Sequence, residues 1–454
     1  MPMPEESENE RLLSRRVHIL GVGSIGTFVA HSLRCLPNPP PLTLLMHKAE
    51  MYEEFKGGAR IIRLINRKSE INDEQSGYDV DLLEPDPETG LDYWRFIPDR
   101  PGSGFSRATN PVNEEEMLPS GELFIYSLIV TVKGPATVRA LRSIKHRLNA
   151  QSTICFIQNG MGQVEELNRK VFTDPETRPT YLLGIISHGV HLAVSFAIIH
   201  AGFGTTALGI YRDTDKYPLP PESSVTNMSD LSDEDRRRLY PSDKDLYSSL
   251  SSRYLLRTLT RCPILACAAF PYLDLLQLQL EKLAINAVLN PITALLDVPN
   301  GDMLHNHSLT KVQRLLLAEI SLVIRGIPEL EGIPNVRTRF SAERLENLFM
   351  GISAKTAENS SSMREDVRKA KQTEIDYING YIVKRGEQQG IKCVLNFMIM
   401  ELLKGKTYAM RSAEGEMMPY GVSRLEGEEE QDELGTPSRV TLDDRGTPAR
   451  GQRY

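Results

Sequence analysis

The chain has 454 residues, of which 40% are hydrophobic and 25% charged, and its formal net charge is −7. This length predicts two or three domains, and the acidic balance argues against nucleic-acid binding. Its five cysteines lie far apart, with no CxxC pair and no partnering Cys/His spacing, so we expect neither a disulfide framework nor a metal site. The composition favours small-molecule chemistry in a reducing compartment.

No targeting or membrane signal is expected. Residues 1–14 begin with an acidic stretch that lacks the apolar core of a secretory signal, and we expect them to be disordered. The most apolar stretch, Leu182–Phe203, is interrupted by histidines and glycines, which favours buried strands over a membrane span. We therefore expect a cytoplasmic protein without membrane contact, and leave mitochondrial import open.

The first elements in chain order are a strand, a glycine turn and a helix. The apolar run Val17–Leu20 precedes a GxGxxG pattern, in which each glycine has a separate function. The first permits the tight turn, the second admits a pyrophosphate close to the backbone, and the third lets the helix pack on the strand. The expected cofactor contacts are Gly21, Gly23, Ser24, Ile25 and Gly26. The alternative is a purely structural turn.

A second apolar run, Leu42–Met46, completes a strand, helix, strand order that favours a parallel sheet. An NAD site usually has a carboxylate at the end of this strand, but here His47 and Lys48 follow, and the first acid is Glu50. A cation there can pair with a 2′-phosphate, so the sequence indicates NADPH, with Lys48 preferred over His47. A solvated surface lysine is the alternative.

The sequence pattern changes at about residue 250, from predicted strands to helical periodicity. Further strands are expected at Leu123–Val132 and Thr153–Ile157, whereas residues 84–116 and 213–249 are polar enough to be surface insertions. Helical periodicity is found at Leu275–Leu296, Leu309–Arg325, Ala342–Met350 and Met363–Gln389. We therefore expect a Rossmann domain over residues 15–212, a helical domain over residues 250–412 and a disordered tail over residues 413–454.

One polar face is expected on the first long helix. Lys282, Asn286 and Asn290 are spaced i, i+4 and i+8, so they share a face and can converge on one ligand. Pro291 is expected to kink or end that helix. Taken alone, the three residues could equally be a surface stripe on an amphipathic helix.

Several segments together resemble the ketopantoate reductase family. They are Thr131–Lys133, Gln158–Gly162, Lys282–Pro291, Asn359–Met363 and Thr373–Gly380. Their order matches that family, and the resemblance extends from about Val17 to about Lys404. It implies an α/β fold with an N-terminal Rossmann-type dinucleotide-binding domain and a mainly α-helical C-terminal domain like that of 6-phosphogluconate dehydrogenase. It also implies reduction of 2-dehydropantoate to (R)-pantoate with NADPH, for pantothenate and coenzyme A synthesis, and it is compatible with a homodimer.

The resemblance assigns roles to individual residues. Lys282 is expected to be the general acid, and Glu374 to contact the substrate and fix Lys282. The expected substrate contacts are Asn286, Asn290, Ser362 and Asn359. Asn159 is expected to position the nicotinamide, and Lys133 to lie near the cofactor and the substrate mouth. From the residues alone, Glu374 could be an exposed helix acid, and Asn359 with the serines after it a helix N-cap.

One departure from the family leaves the substrate open. Where the family usually has a bulky residue before its catalytic lysine, this chain has Gln279–Glu281, and its only tryptophan, Trp94, lies in the first insertion. Reduction of another branched 2-keto acid or imine is therefore an alternative. A non-enzymatic NADPH-binding interaction protein on the same fold is a third interpretation.

Overall fold

The three-dimensional structure is a computed structural model, and it describes residues 14–65, 72–85, 92–99, 123–217 and 249–413. The described residues up to Thr407 form one compact unit. The described residues 408–413 are helical. Most of the expected N-terminal disorder and the expected tail lie outside the described residues.

Strands of two sheets account for most of the first half of the chain. Within the described residues they are β1 Val17–Leu20, β2 Leu42–Met46, β3 Ile62–Ile65, β4 Asn72–Gln75, β5 Tyr78–Pro85, β6 Asp92–Ile97, β7 Ser127–Val130, β8 Thr153–Ile157, β9 Thr180–Ile186, β10 Gly189–Val194, β11 Ala197–Gly202, β12 Thr206–Ile210 and β13 Cys267–Ala269. The main sheet has the order β13-β12-β9-β8-β7-β1-β2-β5-β6. The smaller sheet has the order β10-β11-β3-β4.

The six central strands of the main sheet, from β9 to β5, are parallel. Most of their apolar side chains are buried, as expected for a sheet covered on both faces. Strand order reverses between β1 and β7, and ligands of such sheets bind at the carboxyl ends of the strands beside this point. The predicted parallel Rossmann sheet is therefore confirmed, and it places the loops after β1, β2, β7 and β8 along one edge.

The predicted surface insertion at residues 84–116 is wrong for its first part. Strand β6 pairs antiparallel with β5 and extends the main sheet. Trp94 is 3% exposed, and its indole N–H donates a 3.2 Å hydrogen bond to the carbonyl of Ser143. A strand at the edge buries only one face, so its polar composition resembles that of a loop. Residues 86–91 and 100–122 lie outside the described residues.

The apolar stretch Leu182–Phe203 forms strands β9 to β11, but not all of it is buried. Leu192 and Val194 on β10 are exposed, whereas Ile198 on β11 is fully buried. The second predicted insertion also begins inside the fold. Asp213, 7% exposed, accepts a 2.7 Å hydrogen bond from Arg178. Residues 218–248 lie outside the described residues.

Helices cover the sheet and form the second half of the chain. Within the described residues they are α1 Ser24–Arg34, α2 Ala49–Gly57, α3 Thr137–Arg142, α4 Gln163–Lys170, α5 Leu250–Thr260, α6 Tyr272–Leu296, α7 His307–Arg325, α8 Val336–Arg339, α9 Ala342–Lys355, α10 Ser362–Arg368, α11 Ile375–Gln388 and α12 Val394–Ala413. Helix α6 is central and packs against α7, α9, α10 and α11. The predicted helical C-terminal domain is confirmed. No helix in the described part of the chain is long and apolar enough to cross a membrane.

Two helix boundaries differ from the sequence prediction. Helix α6 continues through Pro291 to Leu296, so the proline does not end it. The predicted helical segment Met363–Gln389 is instead divided into α10 and α11. Ala370 between them has a left-handed φ of 48°, which an α-helix cannot contain. This break puts Glu374 at the start of α11, where its side chain can reach outside the helical half.

Candidate active site

The glycine turn after β1 is packed tightly against the loop after β7. Gly21 has a φ of 103°, and a Cβ there would lie 2.6 Å from the nitrogen of Val132. A Cβ on Gly26 would lie 1.9 Å from the carbonyl oxygen of Gly21. Both positions therefore need glycine because of the chain's own packing at the switch point.

Gly23 is different, because a Cβ there would meet no atom within 4 Å in the described structure. It is the N-cap residue of α1 and provides no capping side chain, and the first turn, with Ser24 and Ile25, contains no acidic residue. Open space beside free N–H groups at a helix N-terminus suits a pyrophosphate. These residues therefore fit a dinucleotide, and the helix dipole favours its negative charge.

Two basic side chains follow β2. His47 and Lys48 are both exposed, and Lys48 is the N-cap residue of α2. The pKa of His47 is lowered by its partial burial and by the nearby charges of Lys48 and Arg139. Arg139, on α3, adds a positive charge that the sequence did not reveal, because α3 is remote in the chain and a single surface arginine carries no pattern.

The loop after β8 approaches α11 closely. Met161 donates a 2.8 Å backbone hydrogen bond to the carbonyl of Tyr377, and the Tyr377 hydroxyl donates to Glu166 at 2.7 Å. Gly160 has a φ of 78°, and a Cβ there would lie 2.5 Å from the oxygen of Tyr377. Gly160 is therefore required for the close approach of this loop to α11.

Glu374 crosses from the helical half to the carboxyl edge of the sheet. One carboxylate oxygen accepts a 3.1 Å hydrogen bond from the backbone N–H of Gly134, and the other accepts from the side-chain amide of Asn159 at 3.5 Å. Burial raises the pKa of Glu374, while the Gly134 N–H and the charge of Lys133 oppose that rise. Since Glu374 is 7% exposed, the alternative of an exposed helix acid is wrong.

Lys282, on α6, lies close enough to Glu374 to be affected by its charge. Its ammonium donates a 2.8 Å hydrogen bond to the carbonyl of Ile186, the last residue of β9. Burial lowers the pKa of Lys282 to about 8, and the negative charge of Glu374 acts in the opposite direction. A lysine with such a pKa can both hold and release a proton near neutral pH.

A third cross-contact links Lys133, after β7, to Asp366 on α10 by a salt bridge. Asp366 is 7% exposed, and burial raises its pKa while Lys133 opposes that rise. Asp366 was not among the site residues predicted from the sequence. Its spacing of four residues from Ser362 would have placed it on the same face of α10.

The remaining predicted residues surround this region to different extents. On α6, Asn290 is buried and Asn286 is half-buried, in line with Lys282. Ser362 and Asn359 are exposed, and Ser362 is the first residue of α10. The cap of that helix is Ser361, which accepts a hydrogen bond from the N–H of Arg364 at 3.1 Å.

The start of α10 is fixed against the end of α6. Asp297, in a left-handed conformation, accepts hydrogen bonds from Arg364 and Arg368, at 2.9 and 2.7 Å respectively. These guanidinium groups lower the pKa of Asp297 to about 2. The helix that presents Ser362 is therefore tied to the helix that presents Lys282.

The arrangement combines a phosphate-binding turn, a cationic strand end, a partly buried ammonium and a buried carboxylate. Asn159 and Gly134, on the sheet side, contact Glu374, on the helical side. Such a set can bind a dinucleotide along the sheet edge and can donate a proton to an oxyanion formed beside it.

Two family models match the chain. The family described as ketopantoate reductase PanE/ApbA matches residues 103–213. The family described as ketopantoate reductase PanE/ApbA C terminal matches residues 274–407, which include Lys282 and Glu374.

Curated relatives match over most of their lengths. A probable 2-dehydropantoate 2-reductase from Schizosaccharomyces pombe is 28% identical over 87% of this chain and 97% of its own. The 2-dehydropantoate 2-reductase of Salmonella typhimurium is 30% identical over 73% of this chain and 88% of its own. A ketoisovalerate reductase from Gibberella fujikuroi is 24% identical over 81% of this chain and 78% of its own.

Solved structures share the fold. A D-mandelate dehydrogenase with NADH and anilino(oxo)acetate has a TM-score of 0.57 at 15% identity, covering 87% of this chain and 99% of its own. A dimeric ketopantoate reductase from Staphylococcus aureus has a TM-score of 0.52 at 15% identity, with the same coverage. The fold class expected from the sequence is confirmed by these similarities.

Proposed function

Because the chain belongs to the ketopantoate reductase family, a family of oxidoreductases, we propose that it reduces 2-dehydropantoate to (R)-pantoate with NADPH. The observation that carries this proposal is the position of Lys282. Its ammonium, with a pKa lowered to about 8, lies within the electrostatic influence of the buried Glu374 carboxylate. This pair provides a proton donor and a fixed negative charge beside the sheet edge that suits a dinucleotide.

In the proposed reaction, reduced nicotinamide supplies the hydride that reaches the keto carbon. Lys282 polarises the keto oxygen as an ammonium and gives it a proton while the carbon–oxygen double bond becomes a single bond. Lys282 is left as a neutral amine and regains its proton from water. Its lowered pKa supports this role because an unperturbed lysine would hold its proton too tightly to donate it readily near neutral pH.

Glu374 and the asparagines hold the reacting groups in place. Glu374 favours the ammonium form of Lys282 by charge. The spacing of Asn286 and Asn290 along α6 supports their donating to the substrate hydroxyl and carboxylate. Ser362 and Asn359, at the start of α10, are proposed to add donors from the other side. Asn159 is proposed to position the nicotinamide.

The preference for NADPH is supported by charge. His47 and Lys48 follow β2 where an NAD site usually has a carboxylate, and Arg139 lies close enough to lower the pKa of His47. A 2′-phosphate there would meet the positive charges of Lys48 and Arg139. Lys133, which pairs with Asp366, is proposed to contact the cofactor or substrate when both are bound.

A second candidate substrate is 2-ketoisovalerate, the substrate named for the Gibberella fujikuroi relative. The residue before Lys282 supports this second candidate. Glu281 is not bulky and apolar but forms ion pairs with Arg339 and Arg344 at 2.9 and 2.6 Å. The side chain of the substrate would therefore meet a wall different from that of a reductase with a bulky residue at this position.

The deciding experiment follows NADPH oxidation at 340 nm with 2-dehydropantoate, 2-ketoisovalerate and other 2-keto acids, and repeats each assay with NADH. We expect the highest kcat/KM for NADPH with 2-dehydropantoate. A higher kcat/KM for 2-ketoisovalerate would change the substrate but keep the mechanism. Absence of turnover despite NADPH binding would favour a non-enzymatic NADPH-binding interaction protein. Light scattering on the same sample tests whether this chain is a homodimer like its Staphylococcus aureus relative.

A further inference from the structure

Three potential metal ligands meet at the C-terminal end of α1, away from the glycine turn at its other end. They are His31 on α1, Cys35, which is the C-cap residue of that helix, and Asp73 on β4. One ligand atom from each lies within 4.8 Å of those of the other two. The proposed function uses none of these residues.

The contacts of His31 fix which ring nitrogen can bind a ligand. Its Nε2 lies 3.1 Å from the main-chain oxygen of Asp73, and because a carbonyl oxygen only accepts, Nε2 carries the hydrogen. In a neutral ring, the lone pair is then on Nδ1, which lies 3.7 Å from the sulfur of Cys35. Metal-binding histidines commonly show this arrangement, in which a carbonyl orients the ring from the non-coordinating side.

The ring of His31 is held inside the fold. Its side chain is fully buried, so packing and the carbonyl contact fix the direction of Nδ1. Asp73 is about half exposed, so the cluster is reachable from solvent through its carboxylate.

Two of the three separations agree with tetrahedral coordination. Bond lengths of about 2.3 Å for zinc to sulfur and about 2.0 Å for zinc to nitrogen or oxygen put neighbouring ligand atoms about 3.3 to 3.5 Å apart. Cys35 Sγ lies 3.7 Å from His31 Nδ1 and 3.6 Å from the Asp73 carboxylate oxygen Oδ2. Asp73 Oδ2 lies 3.7 Å from the other ring nitrogen, Nε2, so rotation of this half-exposed carboxylate towards Nδ1 would complete the set.

We propose that His31, Cys35 and Asp73 bind one zinc(II) ion, with water as the fourth ligand. One neutral and two anionic ligands balance the charge of the ion, and nitrogen, sulfur and oxygen are all ligands that zinc accepts. The ion joins the end of α1 to the smaller sheet through β4. It thereby stabilises the helix whose N-terminus fits the phosphates of a dinucleotide.

Binding must release a proton from Cys35. The thiolate is the form that binds zinc, so the sulfur–zinc bond replaces the S–H bond and the proton passes to solvent.

The experiment uses the untagged full-length protein after treatment with a chelator. Zinc is titrated against a chromophoric chelator, and cobalt(II) replaces it in a second titration followed by absorption in the near ultraviolet. We expect one ion per chain and a thiolate-to-cobalt band. Cys35→Ser and Asp73→Asn should each weaken zinc binding at least tenfold.

Cys262→Ser is the matched control, because Cys262 is a buried neighbour whose thiol donates to the carbonyl of Ser32 at 3.2 Å. We expect it to bind zinc as the unaltered chain does. The proposal is overturned if the unaltered chain binds no zinc, or if Cys35→Ser and Asp73→Asn bind it as tightly. These readouts do not depend on reductase activity, so failure of the proposed function would leave them unaffected.

Discussion

The side-chain amide of Asn379, on α11, donates a 2.8 Å hydrogen bond to the main-chain oxygen of Ala287 in α6. Ala287 precedes Pro291 by four residues, so proline deprives its carbonyl of the usual helical N–H donor. Asn379 is fully buried and supplies that donor from a neighbouring helix. This contact allows α6 to continue past Pro291 and to keep Asn290 in line with Lys282.

Asn379→Ala is therefore expected to destabilise the protein. It removes the donor to Ala287 and also the 3.1 Å hydrogen bond to the amide oxygen of Asn396. Leaving two buried acceptors without partners should reduce the free energy of unfolding by about 3 kcal/mol, measured by urea denaturation. In a Pro291→Ala background, the backbone N–H gained at residue 291 can donate to the carbonyl of Ala287. The loss of unfolding free energy caused by Asn379→Ala should then be smaller by about 1 kcal/mol. An equal cost in both backgrounds would contradict this role.

Lys282→Ala should lower kcat by roughly 10²- to 10⁴-fold, the usual contribution of a general acid. NADPH affinity, measured by fluorescence titration, should be nearly unchanged because Lys282 is proposed to act on the keto oxygen. An unchanged kcat would show that the proton comes from another group.

The pH profile of kcat/KM should show an alkaline limb near pH 8. Lys282 donates only while it is an ammonium, and burial lowers its pKa to about 8. Activity should therefore be constant just below that pH and decrease about tenfold per unit above it. A profile still level at pH 9.5 would contradict the assignment of Lys282 as the acid.

Glu374→Gln should move that alkaline limb to lower pH. The carboxylate favours the charged form of Lys282, so its neutralisation lowers the pKa of Lys282 further. The glutamine can still accept from Gly134, which keeps the local structure. Glu166→Gln is a suitable control, because Glu166 pairs instead with Tyr377 and Lys170. The control should leave the alkaline limb unchanged. An unshifted limb in Glu374→Gln would show that Glu374 does not influence the pKa of Lys282.

Lys48→Glu should weaken NADPH binding and spare NADH. Loss of a charge-assisted contact with the 2′-phosphate corresponds to about 1.5 to 3 kcal/mol, or roughly 10- to 100-fold in Kd. Lys56→Glu is the matched control, since Lys56 lies on the same helix and pairs only weakly with Glu53 at 3.5 Å. Equal losses for both cofactors would argue against recognition of the 2′-phosphate by Lys48.

Features that depend on neighbouring residues could be predicted from the sequence. The strand, glycine turn and helix at the start of the fold follow from local periodicity and from backbone angles that favour glycine. The face formed by Lys282, Asn286 and Asn290 follows in the same way from helical spacing. The resemblance to a known family extended these local patterns to Glu374, which no local rule marks as buried.

Only the tertiary structure decided which distant groups meet. Glu374 reaches Gly134 and Asn159, and Lys133 reaches Asp366, across more than 200 residues of chain. Trp94 lies in a half-buried edge strand whose composition resembles a loop, and Asp73 joins His31 from another element. Burial, hydrogen-bond partners and pKa shifts arise from the chain packing against itself, so they depend on residues that no local pattern in the sequence brings together.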